Sequence, residues 1–188
     1  IQGKVASVNF AIGDHVNAGD VLYTMDTANI LNSKKGTYFV ADTLINRHPD
    51  TSTLIDIARL SCDTVKFFNH TPVMAMLSYS NFGSDTEGSP AAVHAAVDYM
   101  QKACPDLAID GEMQVNFAMD KKLRDEKYPF TRLKGLDVNT LVFPNLSSAN
   151  SGYKLIQTMS ETEVIGPIQM GLNKPIHFTD IESSVRDI

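Results

Sequence analysis

Val73-Met74-Ala75-Met76-Leu77-Ser78-Tyr79-Ser80-Asn81-Phe82-Gly83-Ser84 is an apolar run followed directly by a polar loop that contains glycine. The first five residues show no polar alternation, which is typical of a central strand buried on both faces of a sheet. Ser89 and Pro90 then predict an N-cap and a first helical position, and Val93 and Val97 begin one apolar face of that helix. The order strand, loop and helix favours an α/β domain.

The same order recurs before and after this stretch. Residues 38–41 read as a strand, and Asp50 or Thr51 can cap a helix with an apolar stripe from Leu54 to Phe68. Further on we expect a short helix from Asp120 through Lys127, a buried strand at 140–143, and a last helix marked by Tyr153, Ile156 and Met159. Residues 36–188 are therefore predicted to form a three-layer α/β/α domain with a mostly parallel sheet.

Residues 1–35 have a different sequence pattern from the α/β domain. Glycines and valines recur at short intervals, as in residues 3–8 and 19–25, and this pattern suits short strands with tight turns. We therefore predict a separate small β segment before the α/β domain.

Composition excludes several classes of function. The 188 residues are 43% hydrophobic and carry a formal net charge of −6, so no general affinity for nucleic acid or for an anionic membrane is expected. No apolar run approaches the roughly 20 residues of a membrane span. Cys62 and Cys104 fall in predicted helices without metal-type spacing, which favours a reduced, cytoplasmic protein. The five histidines also lack metal-ligand spacing, so no metal site is predicted.

Three polar loops are candidates for ligand binding, at residues 78–84, 144–150 and 166–175. Each follows a predicted strand, and loops at the carboxyl ends of parallel strands border a common crevice. Serine hydroxyls, free backbone N–H groups and glycines suit a phosphate where basic residues are few. Ordinary turns contain the same residues, and that alternative stays open. Asp110 and Glu112 flank Gly111 as a candidate acid and base pair, or as a strand-end turn.

Six segments in order carry a family resemblance. They are residues 39–46, 76–84, 110–114, 142–146, 149–154 and 165–175. Together they resemble the phosphate acetyl/butyryltransferase family, and they are most similar to its branch in the C-terminal, phosphotransacetylase-like region of bacterial NADP-dependent malic enzymes.

The resemblance implies a ligand and its site. Family members have two α/β domains that face each other across a cleft for a coenzyme A thioester and phosphate, and this chain is similar to the second domain. The loops and the resemblance together give these candidate ligand-binding residues: Ser78, Ser80, Asn81, Gly83, Ser84, Asn145, Ser148, Asn150, Gly152, Gly166, Pro167, Gly171 and Lys174. Asp187 matches the catalytic aspartate of the family.

One departure from the family pattern points away from catalysis. Active transacetylases carry a Ser-Arg pair where this chain has Asp180-Ile181, and losing the guanidinium removes a bidentate grip on phosphate. The resemblance then implies an acetyl-CoA-binding regulatory domain of a malic enzyme, linked to a malate-oxidising catalytic domain outside this chain. NADP and a divalent metal would belong to that other domain.

Two alternatives remain at this point. The chain could be an active phosphate acetyltransferase, in which Asp187 acts as base for the thiol and Lys174 replaces the arginine. It could also be an oligomerisation domain, because family members associate into homo-oligomers through this region.

Residues 1–30 also resemble half of a biotinyl or lipoyl carrier domain. The modifiable lysine of such a domain would lie near Ala28 or Asn29, where this sequence has none. Lys34 and Lys35 are interpreted as turn residues beside Gly36, and a plain β hairpin is the alternative.

Overall fold

The computed structural model describes residues 26–41 and 44–171. The elements of this part are β1 (Asp26–Ser33), β2 (Gly36–Ala41), α1 (Thr51–Phe67), β3 (Val73–Leu77), α2 (Gly88–Ala103), β4 (Ala108–Met113), α3 (Val115–Met119), α4 (Lys121–Lys127), β5 (Thr140–Val142), α5 (Leu146–Met159) and β6 (Glu163–Met170). Among these described helices, none combines the length and the apolar character that crossing a bilayer requires.

The strands form one six-stranded sheet in the order β4-β3-β5-β2-β1-β6. The pairs β4 with β3, β3 with β5 and β5 with β2 are parallel, whereas β1 is antiparallel to both β2 and β6. Of the described strands, all except β1 therefore run in the same direction. The predicted mostly parallel sheet is confirmed.

Helices cover both faces of the sheet. On one face, α1 and α2 bury Leu54, Ile57, Val93 and Met100 against a strand face that includes Met74. On the other face, Ala118 of α3 and Leu133, from the chain after α4, pack in a second cluster with Ala75, Leu77, Met113 and Leu141. Full burial of such an apolar side chain stabilises the fold by about 1.5–3 kcal/mol. The predicted three-layer α/β/α architecture is confirmed.

Two helices begin at the predicted caps and one does not. Asp50 Oδ1 accepts a hydrogen bond from Thr53 N at 2.8 Å, and Asp120 Oδ1 accepts one from Leu123 N at 2.9 Å. Helix α2 instead begins at Gly88, one residue before Ser89, so the prediction that Ser89 is its N-cap was wrong. Gly88 adopts a φ of +58°, which lets the chain turn into the helix without a side-chain cap.

Two glycine-containing segments lie in strands where the sequence predicted a turn and a loop. Gly111 lies within β4, so the strand-end turn at residues 110–112 is not formed. Gly166 and Pro167 lie within β6, where the register against β1 shifts between Ala28 and Ile30. A proline has no N–H to donate to a ladder, and a shift in register accommodates it.

Strand β1 joins the main sheet through a tight hairpin. Lys34 and Lys35 form the turn between β1 and β2, and the prediction that they are turn residues is confirmed. The domain boundary predicted at residue 35 thus falls between two paired strands. Residues 1–25, to which most of the predicted β segment belongs, lie outside the described residues.

Gly111→Ala is expected to destabilise the fold by about 2–4 kcal/mol. A Cβ at Gly111 would lie 2.5 Å from the backbone oxygen of Met76 on the neighbouring strand, and the φ of Gly111 is +148°. Gly135→Ala is the matched control, because Gly135 has a φ of +76° but open space around its Cβ position, so only the conformational cost of about 1 kcal/mol applies. Urea unfolding of both variants measures the difference, and equal losses would contradict the steric explanation.

Candidate functional site

The carboxyl ends of five strands lie at one edge of the sheet. Strands β3 and β5 are neighbours and parallel, so loop 78–84 and the start of α5 leave the sheet side by side. The carboxyl ends of β2 at Ala41 and of β6 at Met170 lie at the same edge, but β2 and β1 separate β6 from β5. The first two predicted loops are therefore adjacent, whereas β6, which contains the start of the third, ends farther along the edge.

Loop 78–84 uses its backbone N–H groups internally. Phe82 N donates to the Glu112 backbone oxygen at 2.8 Å, and Gly83 N donates to Glu112 Oε1 at 2.6 Å. Asn81 N donates to Ser84 Oγ at 3.0 Å. The free N–H groups that the sequence analysis expected for an anion are thus engaged at these positions.

The serine hydroxyls of this loop also maintain its shape. Ser80 Oγ donates to Glu112 Oε1 at 2.8 Å and accepts from Asp85 N at 3.0 Å, while Ser78 Oγ accepts from Ser80 N at 3.2 Å. Asn81 Oδ1 accepts from the backbone of Gln114, and Asn81 Nδ2 has no partner in the described part of the chain. Ligand contacts by Ser78, Ser80, Asn81, Gly83 and Ser84 stay predictions, and the amide of Asn81 is the group best placed to make one.

Glu112 holds loop 78–84 in place by accepting hydrogen bonds from Ser80 and Gly83. Its side chain is fully buried, and its second oxygen, Oε2, lies 3.0 Å from His94 Nδ1. Burial alone would raise the pKa of the Glu112 carboxyl, but hydrogen bonds from Gly83 N, the Ser80 hydroxyl and His94 outweigh this and hold the pKa below its ordinary value. The group is therefore a carboxylate at neutral pH.

Asp110 and Glu112 do not form the acid and base pair considered from the sequence. Asp110 Oδ2 accepts from Thr131 Oγ1 at 2.6 Å and from Arg132 N at 2.7 Å, and Asp110 Oδ1 accepts from Gln101 Nε2 at 3.1 Å. Each carboxylate thus holds a different segment of chain. Alternation in a strand and the Asp-Gly dipeptide could not reveal these partners.

The N-terminus of α5 is the more open part of this edge. Asn145 caps the helix, because its Oδ1 accepts from Ser148 N at 3.0 Å and Ser148 Oγ donates to its backbone oxygen at 2.9 Å. The N–H and hydroxyl of the exposed Ser147 have no partner in the described residues. Uncompensated N–H groups and the helix dipole favour an anion at such a terminus. This feature supports the predicted ligand site at the second loop.

Asn150 and Gly152 lie within α5 rather than in a loop. A Cβ at Gly152 would lie 3.1 Å from the Phe143 ring, so this glycine lets the helix pack closely on that ring. Asn150 is half-buried and has no hydrogen-bond partner in the described part. Ligand binding by these two residues stays a prediction.

Arg47 and His48 were missed by the sequence analysis. Both are exposed in the segment between β2 and α1. Leu146 N, in the first turn of α5, donates to the Asn46 backbone oxygen at 3.0 Å, so this segment lies against the start of α5. Arg47 directly follows Asn46, so this permanently charged residue lies near the open helix terminus. No spacing in the sequence signals this, because the two segments are 100 residues apart in the chain.

Three further candidates, Gly166, Pro167 and Gly171, are not brought into this arrangement. Gly166 and Pro167 lie in β6, and Gly171 follows it. Lys174 and the candidate catalytic residue Asp187 lie outside the described residues. Their roles stay predictions. Within residues 26–41 and 44–171 there is also no group of three His, Cys, Asp or Glu side chains that could hold a metal ion.

Known proteins are similar to this chain in sequence and fold. The whole chain, residues 1–188, matches the phosphate acetyl/butaryl transferase family, and the match includes the segment set apart in the sequence analysis. The chain is 36% identical over 170 residues to the NADP-dependent malic enzyme of Salmonella typhimurium, covering 90% of this chain and 22% of that protein. It is 39% identical over 140 residues to the phosphate acetyltransferase of Bacillus subtilis, covering 74% of this chain and 43% of that protein.

A solved structure has the same fold. The EutD phosphotransacetylase from Staphylococcus aureus superposes with a TM-score of 0.82 and 30% sequence identity, covering 91% of this chain and 52% of that one. The chain thus spans about a fifth of the malic enzyme and about half of the transferases. On this sequence match, with the shared fold in support, the chain belongs to the phosphate acetyl/butaryl transferase family and is homologous to the phosphotransacetylase-like part of NADP-dependent malic enzymes.

Proposed function

We propose that this chain binds acetyl-CoA as the regulatory domain of an NADP-dependent malic enzyme. In this proposal a catalytic domain in the same polypeptide binds NADP and a divalent metal and converts malate to pyruvate and CO2. The domain itself is not a catalyst but a sensor, and it assembles as a homo-oligomer in the cytoplasm. Its homology to both malic enzymes and phosphate acetyltransferases is the background of the proposal.

The observation that carries the binding proposal is the open N-terminus of α5 beside Arg47. The first turn of α5 contains no acidic residue, and within residues 26–41 and 44–171 neither the N–H nor the hydroxyl of Ser147 has a hydrogen-bond partner. Arginine binds phosphate through planar, bidentate hydrogen bonds. These groups suit the phosphates of a coenzyme A thioester, although the net charge of the chain is −6.

A regulatory role is favoured over catalysis by the sequence near the end of the chain. Asp180-Ile181 stand where active transferases have a Ser-Arg pair. The bidentate hydrogen bonds from a guanidinium to inorganic phosphate are therefore lost, but this loss does not require that binding of the thioester is lost as well. Isothermal titration of the chain with acetyl-CoA is the direct test. We expect saturable binding, and no heat at millimolar acetyl-CoA would refute the proposal. Malate-dependent NADP reduction by the polypeptide that contains the domain, with and without acetyl-CoA, tests the regulatory effect.

The alternative function is phosphate acetyltransferase activity. It is favoured by the identity of 39% to the Bacillus subtilis phosphate acetyltransferase. In that case Asp187 would act as base for the thiol and Lys174 would contact phosphate. Phosphate-dependent release of CoA from acetyl-CoA separates the two functions. Turnover would establish the alternative, whereas binding without turnover would favour the sensor.

Arg47→Ala is expected to weaken acetyl-CoA binding about fivefold to thirtyfold, because a charged hydrogen bond to phosphate contributes roughly 1–2 kcal/mol at an exposed site. The loss should shrink at high salt. Lys102→Ala is the matched control, since Lys102 is an exposed basic residue in the last turn of α2, at the opposite edge of the sheet. Titration of both variants at low and high salt gives the result, and equal affinities would exclude Arg47 from the phosphate site.

A further inference from the structure

His94 of α2 contacts Glu112, the carboxylate that holds loop 78–84, through one of its two ring nitrogens. Its Nδ1 lies 3.0 Å from Glu112 Oε2, and its side chain is 50% exposed whereas that of Glu112 is fully buried. No partner for His94 Nε2 is found among the described residues. The same carboxylate accepts hydrogen bonds from Gly83 N and the Ser80 hydroxyl, so Glu112 links His94 to the candidate ligand loop.

The contact with Glu112 fixes the tautomer of the imidazole. A carboxylate can only accept hydrogen bonds, so Nδ1 must carry the proton that it donates to Oε2. In the neutral ring the lone pair then lies on Nε2, on a side chain that is half-exposed. His94 thus presents a hydrogen-bond acceptor in a defined orientation.

Structural support of Glu112 does not require this exposed acceptor. Oε1 of Glu112 already accepts two hydrogen bonds, from Gly83 N at 2.6 Å and Ser80 Oγ at 2.8 Å. Oε2 needs only one N–H donor, which a shorter amide could supply as well as an imidazole. Compared with such an amide, histidine at position 94 adds a second ring nitrogen, Nε2, which the contact with Glu112 does not use.

The surroundings of His94 disfavour a phosphate. Glu112, whose Oε2 lies 3.0 Å from His94 Nδ1, is ionised at neutral pH and would repel an anion at the same ring. The nearest open site for an anion is instead the α5 terminus beside Arg47. A lone pair on a ring that contacts a carboxylate suits an uncharged donor such as an amide N–H or a hydroxyl.

We propose that His94 Nε2 accepts a hydrogen bond from an amide N–H or hydroxyl of the uncharged pantetheine arm of a coenzyme A thioester. Glu112 is the positioning residue that orients the ring. The ligand then lies with its phosphates at the N-terminus of α5 and its arm along loop 78–84. This inference rests on the proposed acetyl-CoA binding and adds the direction in which the ligand crosses the edge of the sheet.

Two substitutions separate ligand contact from structural support. His94→Asn keeps a donor near the Nδ1 position and removes Nε2, whereas His94→Gln keeps a polar group near Nε2 and gives up the bond to Glu112. Loss of one neutral hydrogen bond is expected to reduce acetyl-CoA affinity about threefold to tenfold in His94→Asn. His94→Gln should retain more affinity. Adenosine bisphosphate, which has phosphates but no pantetheine arm, should bind equally to all three proteins.

Titration calorimetry of these proteins distinguishes the possible failures. If the wild-type chain does not bind acetyl-CoA, the proposed function fails and this inference fails with it. If the wild type binds and His94→Asn binds equally well, the inference alone is wrong. A loss of adenosine bisphosphate binding in His94→Asn would also overturn it, because the effect would then not involve the arm.

Nitrogen NMR of the imidazole gives a readout that needs no ligand. We expect the neutral ring in the free protein to show the signals of a protonated Nδ1 and an unprotonated Nε2, and the Nε2 signal to shift on addition of acetyl-CoA. A protonated Nε2 in the neutral ring would overturn the inference even if acetyl-CoA binds.

Discussion

Glu112→Ala is expected to lower the free energy of unfolding by about 3 kcal/mol or more at pH 7. The substitution removes the acceptor of Gly83 N, the Ser80 hydroxyl and His94 Nδ1, all within 3.0 Å of the carboxylate. Ser80 is buried, and a buried donor left without an acceptor costs about 1–3 kcal/mol, to which the more exposed Gly83 N–H and His94 add smaller losses. Urea unfolding at pH 7 measures the loss.

Glu126→Ala is the control for this substitution. Glu126 is also a glutamate, but its side chain is 65% exposed and its ion pair with Lys127, at 3.5 Å, is on the surface. Surface pairs of this kind contribute about 0–1 kcal/mol. If both variants lose equally little stability, the carboxylate of Glu112 does not hold the loop.

The contribution of Glu112 should depend on pH in a defined direction. Its pKa in the folded protein is below the ordinary value, so ionisation stabilises the fold above the pKa of the unfolded chain, near 4.3. The contribution is lost as pH falls from that value through the lower folded pKa. The stability difference between wild type and Glu112→Gln should therefore shrink below about pH 4.3. A difference that grows on acidification would contradict the lowered pKa.

The parts of the fold that the sequence predicted are those where local pattern and tertiary burial agree. The apolar run 73–77 has no polar face, and it forms β3 in the interior of the sheet with parallel neighbours on both sides. Asp50 and Asp120 cap helices because the cap bond involves residues only three positions apart. Such local contacts can be inferred from spacing alone.

The parts that the sequence did not predict depend on distant pairing. Strand β1 has three Asn or Asp residues among eight and lacks a clear alternation, yet it is buried because β2 and β6 flank it. Gly166 is accommodated in β6 by its contact with Asn29, where a Cβ would lie 2.6 Å from Oδ1. Neither feature leaves a signal within a short window of sequence.

In the candidate site, too, local patterns were predictable from the sequence and contacts between distant segments were not. Topology brings loop 78–84 next to the start of α5, as expected for loops that follow parallel strands. Composition did not reveal that Glu112 occupies the donors of that loop, nor that Arg47 lies beside α5. Serine and glycine content alone therefore could not separate a loop whose donors are already engaged from a terminus that is open to an anion.

Arg124→Met is expected to destabilise the protein by about 3–5 kcal/mol. Arg124 is completely buried, and its guanidinium donates to three backbone oxygens: to Ala118 at 3.3 Å, to Leu133 at 2.9 Å and to Leu136 at 2.6 Å. These carbonyls tie the segment after α4 to the end of α3. Methionine fills a similar volume but satisfies none of them, so the carbonyl groups lose their donor inside the protein.

Lys122→Met provides the comparison within the same helix. Lys122 is exposed on α4, and its replacement should change stability by no more than about 0.5 kcal/mol. Arg124→Lys should fall between the two, since an ammonium keeps the charge but cannot span three carbonyl groups with the fixed geometry of a guanidinium. Urea unfolding of the three variants should therefore rank Lys122→Met above Arg124→Lys and Arg124→Met last. A fully stable Arg124→Met would mean that packing volume, rather than hydrogen bonding to the three carbonyls, holds this segment in place.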